Sequence, residues 1–255
     1  MRLEVLETPD ALAERGADLL AELLRDALAA RGRATLAVSG GQTPGATLAA
    51  LARRDVDWEH VHVLQVDERI APDGHPERNL GLLRRSFLGQ LAGPTPSLHA
   101  MPVTAGDAEV AAARYAGLLV ALAGAPPVLD VVQLGLGSDG HTASLVPDDP
   151  VLDVEDREVA VTQPYQGRRR LTCTFPLLAR ARQRVWLVSG AAKASAVARV
   201  QAGDRRLPAA RLPQRDSHWL LDRAAATALD RSAVPASTTA LPDPTTAATR
   251  EEQRP

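Results

Sequence analysis

The stretch VVQLGLGSDGHTASLVPDDP, Val131 to Pro150, runs from an apolar segment into glycines and then directly into Asp139, Gly140 and His141. An imidazole titrates near neutrality, so His141 at the mouth of a cleft suits proton transfer, and Asp139 could orient or tune it. Gly137 and its neighbouring glycines would let backbone N–H groups approach a carbonyl oxygen. Comparable chemistry sits at three other apolar-run ends. VSGGQTPG places Ser39, Gly40, Gly41 and Thr43 before a helix start, with Thr43 as N-cap and Pro44 as first helical residue. Free N–H groups and the helix dipole there favour a phosphate. VDERIAP crowds Asp67, Glu68 and Arg69 together, and SGAAK sets Lys193 in the first turn of a helix. A cation at that position opposes the dipole unless an anion is bound.

GRRRLTCTF opens a strand with Arg168, Arg169 and Arg170. Arg170, Thr172 and Thr174 alternate onto one face, with Leu171 and Cys173 on the other. Each signal alone has a plainer reading: a glycine connection, a capped helix, a solvated charge cluster, an exposed lysine. Together they put an anion cradle, two cations and a His/Asp pair at several strand ends. That combination favours a small phosphorylated substrate.

Several chemistries fit poorly. Gly135, Gly137 and Gly140 match G-x-G-x-x-G, but only HTASLV follows before Pro147, too short for the helix a dinucleotide site needs. VSGGQTPG lacks the spacing and the Gly-Lys-Ser/Thr ending of a Walker A loop. There is no G-x-S-x-G element for a serine nucleophile. His60 and His62 read as solvated imidazoles at a strand edge rather than metal ligands. Cys173 is the single cysteine, which removes disulfides and a Cys-based zinc site within the chain, and it reads as a packing residue.

The elements that must position these groups follow from periodicity. Leu12, Leu19, Leu20, Leu23, Leu24 and Leu28 share one face of a helix from Pro9 to about Arg31. Buried strands are expected at Ala34–Val38, Val61–Val66 and DVVQLGL, with later strands at RLTCTF, RVWLVSG and HWLL. Helices are expected from Thr43 to about Arg53, across PERNLGLLRRSFLGQL, from Gly106 to Ala123, and at AAKASAVARV. Apolar strands alternating with helices mean an α/β protein: a three-layer α/β/α sandwich around a largely parallel sheet, Rossmann-type in architecture. One domain over residues 1–230 is expected. The remainder, rich in Pro, Thr, Ser and Ala, reads as a disordered tail.

The 255 residues are 45% hydrophobic but only 3% aromatic, so the core must be built from Leu, Val and Ala. A net charge of −2 suggests neither nucleic acid nor an anionic membrane as partner. No signal-peptide pattern occurs, and no apolar run approaches the roughly 18 residues that cross a bilayer. The expectation is a soluble cytoplasmic protein.

SGGQTP, DER…HPERN, GLGSDGHTASLVP, RRLTCTFP, GAAK and HWLLD occur in the order and rough spacing of the 6-phosphogluconolactonase family, over residues 10 to 230. The chain resembles that family, and DGHTASL is the most specific element. The resemblance implies an architecture shared with glucosamine-6-phosphate deaminases and ribose-5-phosphate isomerases. It implies hydrolysis of 6-phospho-D-glucono-1,5-lactone, with neither metal nor organic cofactor, by a monomer or weak homodimer. It makes His141 the general base, Asp139 its partner, and Arg69 the group that meets developing negative charge. Ser39, Gly40, Gly41, Thr43, Arg170 and Lys193 become the phosphate-binding set, with Asp67, Asn79 and Gly137 lining the substrate pocket.

Gln42 stands where the family usually has Ser, and three consecutive arginines leave open which one reaches the phosphate, Arg170 fitting the spacing best. Two alternatives differ in class. A deaminase–isomerase would carry Asp-Glu-Tyr in place of Asp67-Glu68-Arg69 and a Glu soon after its histidine. A sugar-phosphate sensor would carry a helix-turn-helix, and no helix pair of that kind precedes the first strand.

Overall fold

The computed structural model describes residues 1–229, so the reading of residues 231–255 as a tail lies outside them. In chain order the elements are β1 (Arg2–Leu6), α1 (Pro9–Arg31), β2 (Ala34–Val38), α2 (Gln42–Leu51), β3 (Val61–Gln65), β4 (Asp67–Arg69), α3 (Asn79–Ser86) and β5 (Ser97–His99). There follow α4 (Ala108–Ala123), β6 (Val131–Leu134), β7 (Val159–Val161), β8 (Arg170–Cys173), α5 (Phe175–Arg180), β9 (Gln183–Val188), α6 (Ala194–Gln201) and β10 (Ser217–Asp222). The long helix α1 has conventional ends. The Thr8 hydroxyl accepts from the Ala11 N–H, and Gly32 closes it at φ 68°.

Seven strands form one sheet in the order β1-β10-β9-β6-β2-β3-β5, with every neighbouring pair parallel. Parallel strands must be covered on both faces, and alternation along each strand does this. Leu36, Val38, Val61, Val63, Val131, Val185 and Leu187 face the core under α1, α2 and α3. Ala37, Leu64, Val132, Leu134, Trp186 and Val188 face the core under α4, α5 and α6. The expected α/β/α layering is therefore present. Because all seven strands run the same way, the ends of β2, β3, β6 and β9 open on one edge. The chain leaves β2 toward β3 on one side and β6 toward β9 on the other, so the crevice between them is the sheet's switch point.

The structure corrects several expectations. Helix α2 begins at Gln42, not Thr43: Gly41 (φ 111°) occupies the cap position without a side-chain hydrogen bond, and Pro44 is the third helical residue. Backbone freedom at Gly41, rather than a threonine hydroxyl, starts this helix. Helix α3 covers only Asn79–Ser86, because residues 72–78 form turns and Phe87 leaves helical geometry. RLTCTF is a strand, but β8 belongs to a separate antiparallel sheet, β4-β8-β7, instead of the parallel one. Leu171 and Cys173 turn into the core, as their alternation required. His60 is exposed beside Asp57, as expected, whereas His62 is half-buried and bonded to His99 across β3–β5 at 3.0 Å. Strands β1, β4, β5 and β7 stand outside the expected set; all four lie at sheet edges, and β4, β5 and β7 are only three residues long, too short for a periodic signal.

Candidate active site

A cavity of about 390 Å³ opens at the carboxyl edge of the sheet, a size suited to a small molecule. Ser39, Gly40, Gly41, Thr43, Asp67, Arg69, Asn79, Gly137, His141, Arg170 and Lys193 all line it. Of the residues expected in a site, only Asp139 is outside that lining, one contact behind it.

His141 Nδ1 lies 2.6 Å from Asp139 Oδ1, and the His141 N–H donates to the same oxygen at 3.2 Å. A carboxylate there accepts the Nδ1 proton, which leaves the Nε2 lone pair for a base. Burial pushes the Asp139 carboxyl up. The charge of His141 and the hydrogen bonds from His141 and Tyr165 outweigh it, so Asp139 titrates below the usual carboxylate range.

Gly137 exists here for space. A Cβ at that position would stand 2.1 Å from His141 Nδ1 and 2.4 Å from Asp139 Oδ1. Its N–H donates to His141 O at 2.8 Å, and the Gly140 N–H donates to Gly137 O. Those two amides shape the turn, so the N–H groups of Gly137 and Gly140 are engaged within it.

Gly40 is required for the same reason. A Cβ there would fall 1.9 Å from Asn79 Oδ1. Asn79 accepts from Arg69 Nη1 at 2.8 Å and donates through Nδ2 to Asp67 O at 3.0 Å. Arg69 Nη1 also donates to Glu77 O at 2.7 Å, so one guanidinium nitrogen is anchored while the group borders the cavity.

Asp67 is buried and accepts from the Ser144 hydroxyl at 2.6 Å. Burial pushes its carboxyl up against the pull of Ser144, Arg69 and Arg170. Ser39 turns both donors inward, its N–H to Gln133 Oε1 and its hydroxyl to Gln133 O, each at 3.1 Å. It ties β2 to β6 across the crevice rather than offering a donor to an anion.

The cations separate clearly. Arg168 pairs with Glu77 and His75 at the rim, and Arg169 reaches the Thr162 carbonyl. Arg170 is buried, lines the cavity, and has a buried Nε without a partner among the described residues. Burial and then the nearby Arg69 charge push its guanidinium down from the ordinary value. Two guanidiniums facing one cavity, one with an unmet donor, make a place for an anion. Lys193 also lines the cavity, at the end of a turn (Ala191–Lys193) that follows residues held by Asp222, which accepts from the Ser189 hydroxyl at 2.5 Å and the Gly190 N–H at 3.0 Å.

Sequence reasoning missed Tyr165 and Gln133, and it singled out Glu68 only as part of a charge cluster, without a role. Tyr165 donates to Asp139 Oδ2 at 3.1 Å and lies against the His141 ring. Glu68 is fully buried and accepts from the Asn79 and Leu80 N–H groups at 2.8 and 2.9 Å, capping α3 from β4. It also accepts from Gln65 Nε2 and the Arg69 N–H. The one available signal was a carboxylate crowded between Asp67 and Arg69, which demands partners once buried. Among the described residues no group of three or more His, Cys, Asp or Glu could hold a metal, and no helix is long and apolar enough to cross a membrane.

An imidazole–carboxylate pair facing a cationic cavity, at the switch point of an open parallel sheet, defines a class: an α/β protein equipped for proton transfer on a small anion. Residues 7–221 match the family model described as glucosamine-6-phosphate isomerases/6-phosphogluconolactonase. A 6-phosphogluconolactonase of Synechocystis sp. is 40% identical over 232 residues, covering 88% of this chain and 96% of that one. The chain belongs to the glucosamine-6-phosphate isomerase/6-phosphogluconolactonase family. The solved 6-phosphogluconolactonase of Trypanosoma brucei superposes with a TM-score of 0.78 at 25% identity, over 90% of this chain and 98% of that one. A monomeric glucosamine-6-phosphate deaminase, at 20% identity and a TM-score of 0.77 over 89% of this chain and all of that one, shares the fold.

Proposed function

We propose that this chain hydrolyses 6-phospho-D-glucono-1,5-lactone to 6-phospho-D-gluconate, the lactone-opening step of the oxidative pentose phosphate pathway, in the cytoplasm. The observation that carries the reading is the 2.6 Å contact between His141 and Asp139 beside a cavity lined by Arg69, Arg170 and Lys193. The family assignment and the lactonase relatives support the substrate class.

In this mechanism His141 Nε2 takes a proton from water and the hydroxide oxygen adds to the lactone C1. Negative charge grows on the carbonyl oxygen and is met by Arg69. The tetrahedral intermediate then expels the ring oxygen, which takes the proton back from His141. One water is consumed, and the carboxylic acid and hydroxyl of the open chain are formed. Asp139 holds the imidazole in register and stabilises its charged form. The phosphate is held by Lys193, Arg170 and the amides at the start of α2, beside Thr43. General-base assistance of this kind contributes about 10²–10⁴-fold.

The test follows hydrolysis of freshly prepared lactone by coupled NADP reduction, with glucosamine 6-phosphate assayed in parallel. The expected result is lactone opening well above the spontaneous rate, lost in His141→Ala with KM nearly unchanged. Wild-type turnover in that variant would remove His141 from the mechanism. Saturable sugar-phosphate binding without acceleration would make the cavity a sensor site.

A further inference from the structure

We propose that Tyr165 is a positioning residue for this hydrolysis, aligning the Asp139–His141 pair through its hydroxyl and supporting Arg170 on the face of its ring. The inference rests on the functional reading above and extends it to a side chain outside the motifs that suggested it.

Asp139 has two carboxylate oxygens with separate duties. Oδ1 receives the His141 ring and amide, and Oδ2 receives the Tyr165 hydroxyl at 3.1 Å. With both oxygens held, the carboxylate cannot swing about its Cβ–Cγ bond, and the imidazole keeps a fixed acceptor. The Tyr165 ring also meets the His141 ring edge-to-face, with centroids 5.7 Å apart and planes at 66°. The Arg170 guanidinium carbon lies 5.0 Å from the Tyr165 ring centroid, within cation–π range. Arg170 also donates to Gln166 Oε1 at 3.3 Å. One side chain therefore touches both the proton-transfer pair and the anion-directed guanidinium.

The backbone holds Tyr165 firmly enough for this role. Tyr165 and Arg168 exchange N–H···O bonds of 2.9 and 3.3 Å around Gln166 (φ 53°) and Gly167 (φ 79°). Two consecutive left-handed residues make the tight hairpin whose twist suits flanking extended chain. Arg168, at the end of that hairpin, is tied across the cavity rim to Glu77 and His75.

The experiment compares Tyr165→Phe and Tyr165→Leu with wild type in the lactone assay, in thermal unfolding, and in an NMR titration of the His141 ring. Tyr165→Phe is expected to lower kcat by roughly tenfold, the order of one hydrogen bond to a charged group, with KM changed less than about twofold. Freed of that donor, Asp139 concentrates more charge on His141, so the ring titration midpoint and the acid limb of kcat/KM both move to higher pH. Tyr165→Leu also removes the ring face and is expected to raise KM by roughly threefold. Wild-type kcat and an unmoved ring titration in Tyr165→Phe would overturn the proposal, as would a lower melting temperature as the sole change. Absence of lactonase activity in the wild-type chain would sink the functional reading, and the ring titration would still decide whether Tyr165 positions the pair.

Discussion

Gly137→Ala adds one methyl group and removes no functional group, yet it should inactivate the protein. The added Cβ would stand 2.1 Å from His141 Nδ1 and 2.4 Å from both Asp139 Oδ1 and His141 Cε1. Ordinary van der Waals contact begins at 3.4 Å, so the imidazole must retreat by about 1.3 Å, and the Asp139 carboxylate must also give way. The 2.6 Å bond that presents the Nε2 lone pair cannot survive that displacement. Misplacement by about 1 Å at a reacting centre costs on the order of 10²-fold, and complete loss of base catalysis costs up to about 10⁴-fold. We expect kcat for lactone hydrolysis to fall within that range, with KM little changed because Lys193 and Arg170 are carried by other segments, the turn after β9 and strand β8. The left-handed region is not involved at Gly137, so overpacking alone acts on the fold, at about 1–3 kcal/mol. Stopped-flow measurement of lactone opening, with circular dichroism as a folding control, decides the matter. A folded Gly137→Ala protein with kcat within threefold of wild type would show that proton transfer does not depend on this geometry.

Lys193→Ala should raise KM by roughly ten- to a hundredfold, as loss of a charge-assisted contact to the phosphate predicts, and leave kcat largely intact; an unaltered KM would put the phosphate elsewhere. Glu68→Ala should cost about 3–5 kcal/mol in denaturant unfolding, because the buried N–H groups of Asn79 and Leu80 lose their acceptor and the buried Arg78 is left with Asp73 alone. Stability within 1 kcal/mol of wild type, roughly the worth of one neutral hydrogen bond, would refute the capping role. Acid should destabilise the β3–β5 edge. Burial and then Arg33 lower the His62 imidazole, and burial and then His62 lower His99. Imidazoles near the ordinary 6.5 in the unfolded chain therefore take up protons first. Stability present above that pH is lost as pH falls below it. The melting temperature of wild type should drop more steeply from pH 7.5 to 5 than that of H62Q/H99Q, and parallel curves would count against the pair.

Much of the site was legible because its parts are local. The β2–α2 turn, the DER cluster, the Asp139–His141 spacing and the Lys193 loop each lie within a few residues, and parallel topology then forces the strand ends onto one edge. Alternation along β8 also made legible that Leu171 and Cys173 join the core while Arg170 borders the cavity. The N-cap assignment failed because a threonine before a proline looks like a cap, whereas the chain used the left-handed freedom of Gly41.

Read as a sequence, the chain determined its class: hydrophobic periodicity of 3.6 and of buried runs demands helices on both faces of a parallel sheet, and glycine–charge clusters at run ends demand a site there. Tertiary structure alone decided the partners. Tyr165 meets Asp139 across 26 residues, Gln133 holds Ser39 across 94, and Glu68 caps a helix that begins 11 residues later. None of these pairs has a spacing rule. Each is set by where the crossover connections set the strands down, and by the requirement that a buried donor or acceptor find whatever partner the packed chain brings within reach.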